Sequence, residues 1–515
     1  MKQWLFLLIA MLALVQPVRA QSGLSVKPLS MRKAMSNIQQ ISQLPARSQL
    51  SEAIAAANAD DFAVPLATDF NPCNSGEWHS VDNQRVWRLA IASHNALSLN
   101  LIFTDFNIPC GAGLYIYSID SARPALHYTS DDNAPVLPTP LISGDVVVVE
   151  YNEPDSADFQ GFFNIVQVAH GFRNVLLKQD AENKHDCYVN ADDESVAEWS
   201  DTRRSVCKIL IGGTTFCTGV LLNTANGSFL PYVLTARHCI NTDKQAQNSI
   251  FYFNYESSDS LDNHIVGAEI VAMKDNDDGY LDFALLKLSS SIPDDFNVYY
   301  AGWDYSDIQP VGAVCIHHPN GDVKKISVDT DTLRSASYRL FDTDSFWNVE
   351  EWESGATEVG SSGAPLFNAA HRVVGVLSGG DSDCDYPMND YFQKFSVCYN
   401  RYQDENLQLA HWLNPAGANV SAIDGSYMVK CGLPLKKQSA DCSVYPNPVH
   451  SKLFLSTENE IVAEVEISDL AGRIFLQKTK IGQTTVDVSV LPQGVYVCRI
   501  GFVSGSDYKC LIIKE

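Results

Sequence analysis

The chain has no surplus of positive charge: its formal net charge is −25. Nucleic-acid binding, which needs basic patches against phosphate, is therefore not expected. It also lacks a second long apolar run. The run Trp4 to Val15 follows Met1-Lys2-Gln3 and precedes Val18-Arg19-Ala20. This predicts a secretory signal over 1–20, too short to span a bilayer comfortably, and no membrane span after it. There is no Cys-x-x-Cys pair, although the chain holds 13 cysteines. In an exported protein that predicts disulfides and no metal site. The histidine doublet His317-His318 lies between apolar Ile316 and Pro319 and reads as structural. No cofactor is expected.

A length of 515 residues predicts more than one domain. Residues 21 to about 65 are polar, with helical spacing from Met31 to Ile54. From Trp78 the pattern becomes short strands: Arg85 to Leu89, Ser98 to Phe103, Gly113 to Tyr117 and Val146 to Tyr151. Their spacing predicts a β-sandwich, within which Cys73 and Cys110 are expected to pair. Lys178 to Cys187 is charged and strand-poor, an exposed boundary open to proteolysis. Strands are then predicted at Cys207 to Ile211, Cys217 to Leu222, Tyr232 to Thr235, Ile250 to Tyr255, Ala268 to Met273 and Asp282 to Leu288. Val311 to Ile316 and Arg372 to Leu377 follow. Such a series suits a pair of antiparallel barrels. Asp404 to Leu413 reads as a short helix stopped by Asn414-Pro415. A last group of strands, from Leu453 to Ile500 with a hairpin turn at Asp469 to Arg473, predicts a small β-sandwich beginning near Cys442.

Three segments carry chemistry. Leu234-Thr235-Ala236-Arg237-His238-Cys239 ends an apolar strand with a histidine. Asp282-Phe283-Ala284 opens a buried-looking strand with an aspartate. Gly360-Ser361-Ser362-Gly363-Ala364-Pro365 holds serine in a turn too tight for large side chains. A serine hydroxyl is a weak nucleophile at neutral pH and needs a base, which in turn needs an orienting acceptor. His238, Asp282 and Ser362 supply these in the chain order of the chymotrypsin-type triad. Ser361 is the rival nucleophile, disfavoured by the Gly-x-Ser-Gly frame. The N–H groups of Gly360 and Ser362 are placed to bind an oxyanion.

Beyond these motifs, Cys187 to Tyr427 resembles the bacterial lysyl endopeptidases, which are trypsin-like serine proteases. The likeness rests on Cys217-Thr218-Gly219, the His238 and Asp282 segments, Ala301-Gly302-Trp303-Asp304 and Ile316-His317-His318-Pro319-Asn320. It continues through Thr357-Glu358, Gly360 to Gly363, Arg372-Val373 with Gly375, and Trp412-Leu413-Asn414-Pro415. The resemblance implies the triad His238, Asp282 and Ser362. It also implies Asp390 at the base of the primary specificity pocket, with Ser378, Gly379 and Gly380 along it. A carboxylate there would pair with a substrate ammonium. The family's type member has histidine before its Gly-Gly; this chain has Ser378, so the resemblance leaves the choice between lysine and arginine open. Where trypsins carry aspartate before the nucleophile, this chain has Ser361, so activation cannot use a salt bridge to a new N-terminus. Removal of a covering prosegment is expected instead. The resemblance further implies the bridges Cys217–Cys239 and Cys187–Cys384. Cys207–Cys315 is a guess, and Cys431–Cys442 and Cys498–Cys510 are possible local bridges.

Tyr445-Pro446-Asn447-Pro448, Asp469-Leu470 with Gly472-Arg473, Leu491 with Gly494-Val495-Tyr496, and Ile513-Lys514-Glu515 resemble the sorting domain of the type IX secretion pathway. The competing reading is an adhesive module. The expected architecture is all-β: a signal peptide over 1–20, a β-rich propeptide over 21–184 and a chymotrypsin-like double β-barrel over 185–430. A linker over 431–441 and a sorting domain over 442–515 complete it. The expected protein is a monomeric, secreted serine endopeptidase that reaches the cell surface or medium through the periplasm by the type IX machinery. Its partners are protein and peptide substrates, cut after lysine, with arginine left open. Glutamate-directed or broad cleavage, or an inactive binding protein on the same scaffold, are the alternatives.

Overall fold

The computed structural model describes residues 28–32, 41–44, 47–58, 60–119, 124–175, 187–257, 263–274, 280–428, 442–445, 447–457, 461–468, 473–479, 482, 484–503 and 507–514. The signal peptide, Lys178, Lys184, the linker 431–441 and most of the turn after Ser468 lie outside them. The chain divides into two compact units, Met1–Met428 and Val429–Glu515.

The first unit begins with a β-sandwich. One sheet is built on Gln84–Ala92, Val146–Pro154 and Gly113–Ser118; the other on Ala63–Phe70, Phe162–Gly171 and Ser98–Asn107. Alternation sends Leu89, Ile91, Val147 and Val149 into the core with Trp87, Phe103 and Phe163. The alternate residues Ala90, Tyr117 and Val148 form a second apolar face. At its edge the short helix Leu29–Arg32 caps the buried Glu150, whose Oε1 accepts the Ser30 N–H at 3.1 Å.

Two antiparallel lobes follow. The first is a seven-stranded sheet ordered His264–Val266, Ser249–Phe253, Val206–Ile211, Thr215–Leu222, Tyr232–Thr235, Ala284–Leu288 and Ala268–Met273. The second is a ten-stranded sheet centred on Val311–His317, Pro365–Phe367, Arg372–Gly380, Met388–Lys394 and Phe346–Glu351. Each lobe has its own core. A third cluster, with Leu234 and Leu285 from one side and Ile316, Phe367 and Val376 from the other, joins them around Trp303. This is the all-β architecture of two antiparallel lobes that the strand pattern predicts. The sandwich and both lobes share one compact unit, so contacts alone do not separate 21–184 from 185–430.

The second unit packs the three-stranded sheet Cys442–Tyr445, Lys452–Thr457, Thr485–Asp487 and the four-stranded sheet Ile474–Thr479, Val462–Ser468, Gly494–Phe502, Asp507–Lys514 around one apolar core. Among the described residues no helix is long and apolar enough to cross a membrane.

Some expectations are corrected. Cys73 and Cys110 are unbonded and exposed, each in its own turn between strands. Cys207 and Cys315 are unbonded too, because each is buried in the core of a different lobe. Asp404 to Leu413 is not one helix. A 3-10 turn at Glu405–Leu407 is separated from Ala410–Leu413 because Leu409 N–H turns to the carbonyl of Cys398. The helix Phe395–Asn400 was not foreseen. Antiparallel pairing sets Cys498 opposite Cys510.

Candidate active site

The cleft between the lobes is built from strand ends. His238 follows the buried strand Tyr232–Thr235, and Asp282 lies two residues ahead of Ala284–Leu288, the strand paired with it. That pairing brings the two side chains together. His238 Nδ1 lies 2.8 Å from Asp282 Oδ2, and Asp282 Oδ1 accepts the His238 backbone N–H at 3.0 Å. Asp282 is buried, and its own N–H donates to Gln393 Oε1 at 2.9 Å. Burial pulls the Asp282 pKa up, but the His238 charge and hydrogen bonds, with Ser378 nearby, outweigh it and leave the carboxyl below its usual range. For His238, burial lowers the pKa, while Asp282 and the more distant Asp60 raise it; the net shift is upward.

Ser362 sits in a turn whose two glycines are obligatory. Gly360 has φ +89° and a Cβ there would meet the His318 carbonyl oxygen at 2.8 Å; Gly363 has φ +82° and a Cβ would meet the Thr218 carbonyl oxygen at 2.3 Å. Within this turn Ser361 N–H donates to Glu358 O, Gly363 N–H to Leu377 O and Ala364 N–H to Ser361 O, each at 2.9 Å. Among the described hydrogen bonds, the N–H groups of Gly360 and Ser362 donate to nothing. Ser362 Oγ is not hydrogen-bonded to His238, but both residues line one cavity of about 680 Å³, together with Gly360. Catalytic contacts of this kind tighten on substrate binding.

The cavity is also lined by Ala57, Asn58, Asp60 and Asp61, which lead into the sandwich strand Ala63–Phe70, and by Ala63 itself. Phe62 stacks on Phe216 with ring centroids 4.5 Å apart, and Phe62 N–H donates to Thr214 O at 2.9 Å. Thr215 Oγ1 donates to Asp60 O at 3.1 Å, and Gln167 Nε2 to Gly212 O at 2.9 Å.

Asp390 lies on Met388–Lys394, fully buried, outside the lining of that cavity. Its Oδ2 accepts from Trp352 Nε1 and Thr357 Oγ1, both at 2.7 Å, while the buried Oδ1 has no hydrogen-bond partner. Burial pushes the carboxyl up to about 6, although the Trp352 and Thr357 hydrogen bonds, with Ser382 nearby, oppose it. Gly380 is required beside it: a Cβ there would lie 2.3 Å from Oδ1. Cys187 is bonded to Cys384 and Cys217 to Cys239.

Gln393, Trp352 and Lys208 carried no sequence signal as site residues. Lys208 is buried between Phe216 and Tyr255, 4.2 and 4.3 Å from the ring centroids, and its Nζ donates to Gly321 O at 2.5 Å, tying the lobes together. Burial brings its pKa down to about 7. Among the described residues, Asp329, Asp331 and Glu353 form a group close enough to hold a cation, but Asp329 Oδ1 and Glu353 Oε2 already accept local backbone N–H groups.

Residues 180–393 match the family described as "Lysyl endopeptidase, C-terminal domain", and 443–514 match "Secretion system C-terminal sorting domain". The segment 180–393 is similar to lysyl endopeptidase C-terminal domains. A lysyl endopeptidase of Pseudomonas aeruginosa is 28% identical over 297 residues, covering 51% of this chain and 62% of that protein, less than two thirds of its length. Among solved structures, a Glu endopeptidase is 17% identical with TM-score 0.26, covering 41% of this chain and 91% of its own. Kallikrein-related peptidase 10 is 18% identical with TM-score 0.29, covering 38% and 91%. The sorting domain behind the lysyl endopeptidase domain marks the protein for export to the cell surface or beyond.

Proposed function

We propose that this protein is a secreted serine endopeptidase that cleaves after lysine, and also accepts arginine. Ser362 is the nucleophile, His238 the general base and Asp282 the group that holds the imidazole. His238 takes the Ser362 proton as Oγ attacks the peptide carbonyl. The resulting oxyanion is held by the N–H groups of Gly360 and Ser362, and collapse gives an acyl-enzyme while His238 passes the proton to the leaving amine. Water then repeats the sequence. The observation that carries this reading is the pair of open amides beside Ser362, in the same cavity as a histidine bonded to a buried carboxylate.

Asp390 supports lysine selection. It is a buried carboxyl with one oxygen fixed by two donors and the other unpaired. A substrate cation would satisfy that oxygen, whereas a glutamate side chain would be repelled. The domain reading is a signal peptide over 1–20, a propeptide over 21–184, the protease over 185–430, the linker over 431–441 and the type IX sorting domain from 442. The presence of Ala57, Asn58, Asp60, Asp61 and Ala63 in the lining of the cavity that holds His238 and Ser362 supports a propeptide that keeps the enzyme latent. The test is a peptide-library digest by the secreted form alongside its Ser362→Ala variant. Cleavage that persists in the variant, or falls after residues other than lysine and arginine, would defeat the reading.

A further inference from the structure

Among the described residues, no ion pair holds the turn bearing Ser362. Ser361 is fully buried; its Oγ accepts the Glu358 N–H at 3.1 Å and lies 2.7 Å from Nδ1 of His317. His317 ends the strand Val311–His317 and is fully buried. Its Nε2 lies 3.1 Å from Ser327 Oγ, which donates to the Ala356 carbonyl at 2.9 Å.

The backbone groups at the two ends fix the direction of every proton. Ser327 spends its one proton on Ala356 O, so it accepts from His317, and Nε2 carries the ring hydrogen. Burial, aided by Lys325, pushes the His317 pKa down to about 3, so the ring is neutral. Nδ1 is then a bare acceptor, and Ser361 must donate to it. A one-way chain results: Glu358 N–H to Ser361 Oγ–H to His317 Nδ1, and His317 Nε2–H to Ser327 Oγ–H to Ala356 O. Every member is satisfied, which makes the chain rigid. It brackets 356–361, the segment that leads into the open amides. On its other side, the carbonyl of His318 and the amides of Asn320 and Gly321 crowd Gly360.

We infer that His317 is a positioning residue for oxyanion binding: its imidazole clamps 356–361 against the strands Val311–His317 and Lys325–Thr332, so the Gly360 and Ser362 amides keep their aim with neither an ion pair nor a chain terminus. This rests on the reading of Ser362 as nucleophile.

The test uses the secreted enzyme with His317→Phe, His317→Asn and Ser361→Ala. Phe fills the space but leaves the Ser361 hydroxyl without its acceptor and Ser327 Oγ without the ring N–H; Asn keeps an acceptor near the Nδ1 position. His317→Phe and Ser361→Ala should each lower kcat roughly 10²-fold with KM within about threefold, since small misplacement of the turn weakens only transition-state contacts. Fluorophosphonate labelling of Ser362 should slow by a similar factor. His317→Asn should recover most of the loss, and the double variant His317→Phe with Ser361→Ala should be no worse than either single change. If His317→Phe does not fold, Ser361→Ala with His317→Asn carries the test. Folded variants with full kcat, or with losses confined to KM, would overturn the inference. A wild-type enzyme that fluorophosphonate does not label would overturn the Ser362 reading instead.

Discussion

Asp390→Asn isolates the group proposed to select the substrate. This carboxyl is fully buried, and burial raises its pKa from 3.8 to about 6. A shift of about 2 units corresponds to about 3 kcal/mol against the ionised form. Because the folded value lies above the unfolded one, the folded state holds the proton longer. The stability this gives is complete below about pH 4, is lost as the pH rises to about 6, and is absent at pH 8. Asparagine keeps an oxygen for Trp352 and Thr357 and removes the charge. At pH 8 the variant should therefore be as stable as the parent or more stable, by no more than about 3 kcal/mol, and the gain should disappear near pH 4. A substrate ammonium would lose its counter-charge, so kcat/KM for lysyl peptides should fall at least about 10²-fold, with neutral substrates comparatively spared. Denaturant melts at both pH values and kinetics on matched lysyl and neutral peptides measure the two effects. Unchanged lysine preference would remove Asp390 from the pocket. Destabilisation at both pH values would make the carboxyl a structural brace.

Ser362→Ala should lower kcat roughly 10⁴- to 10⁶-fold while melting like the parent, and Ser361→Ala should cost far less; reversal of that order in steady-state kinetics would reassign the nucleophile. The acid limb of kcat/KM should lie above the usual histidine value of 6.5, because the Asp282 charge raises His238 and activity appears only as His238 loses its proton; a limb below it would contradict the pairing. Phe62→Ala removes the ring stacked on Phe216, so the precursor should become active and react with fluorophosphonate at least about tenfold faster; an unchanged rate would show that this contact does not hold the sandwich in place. Deletion of Cys442 to Glu515 should leave a folded, active enzyme trapped in the periplasm, and fractionation showing normal export would point to an adhesive module.

Much of this architecture is legible in the sequence because it rests on local signals. The strand Tyr232–Thr235 is a short apolar run, and the Gly360 to Gly363 turn announces itself by glycines that two positive φ angles require. What escaped depends on long-range register. Gln393 reaches Asp282 and Trp352 reaches Asp390 only because Met388–Lys394 lies between Phe346–Glu351 and Arg372–Gly380. The bridges Cys217–Cys239 and Cys187–Cys384 form as expected, but Cys207–Cys315 does not, for the same reason: the two look available along the chain, yet each is sealed in a separate core. His317 is legible as a structural residue, but the hydroxyls that give it work come from Ser327 and Ser361, placed by the sheet and the turn.

The most direct measurement of the central claim is digestion of a diverse peptide library by the secreted protein, with cleavage sites read by mass spectrometry and Ser362→Ala as control. The account predicts cuts after lysine, with arginine second, all abolished in the control. Cuts after acidic or neutral residues, or cuts that survive the substitution, would contradict it.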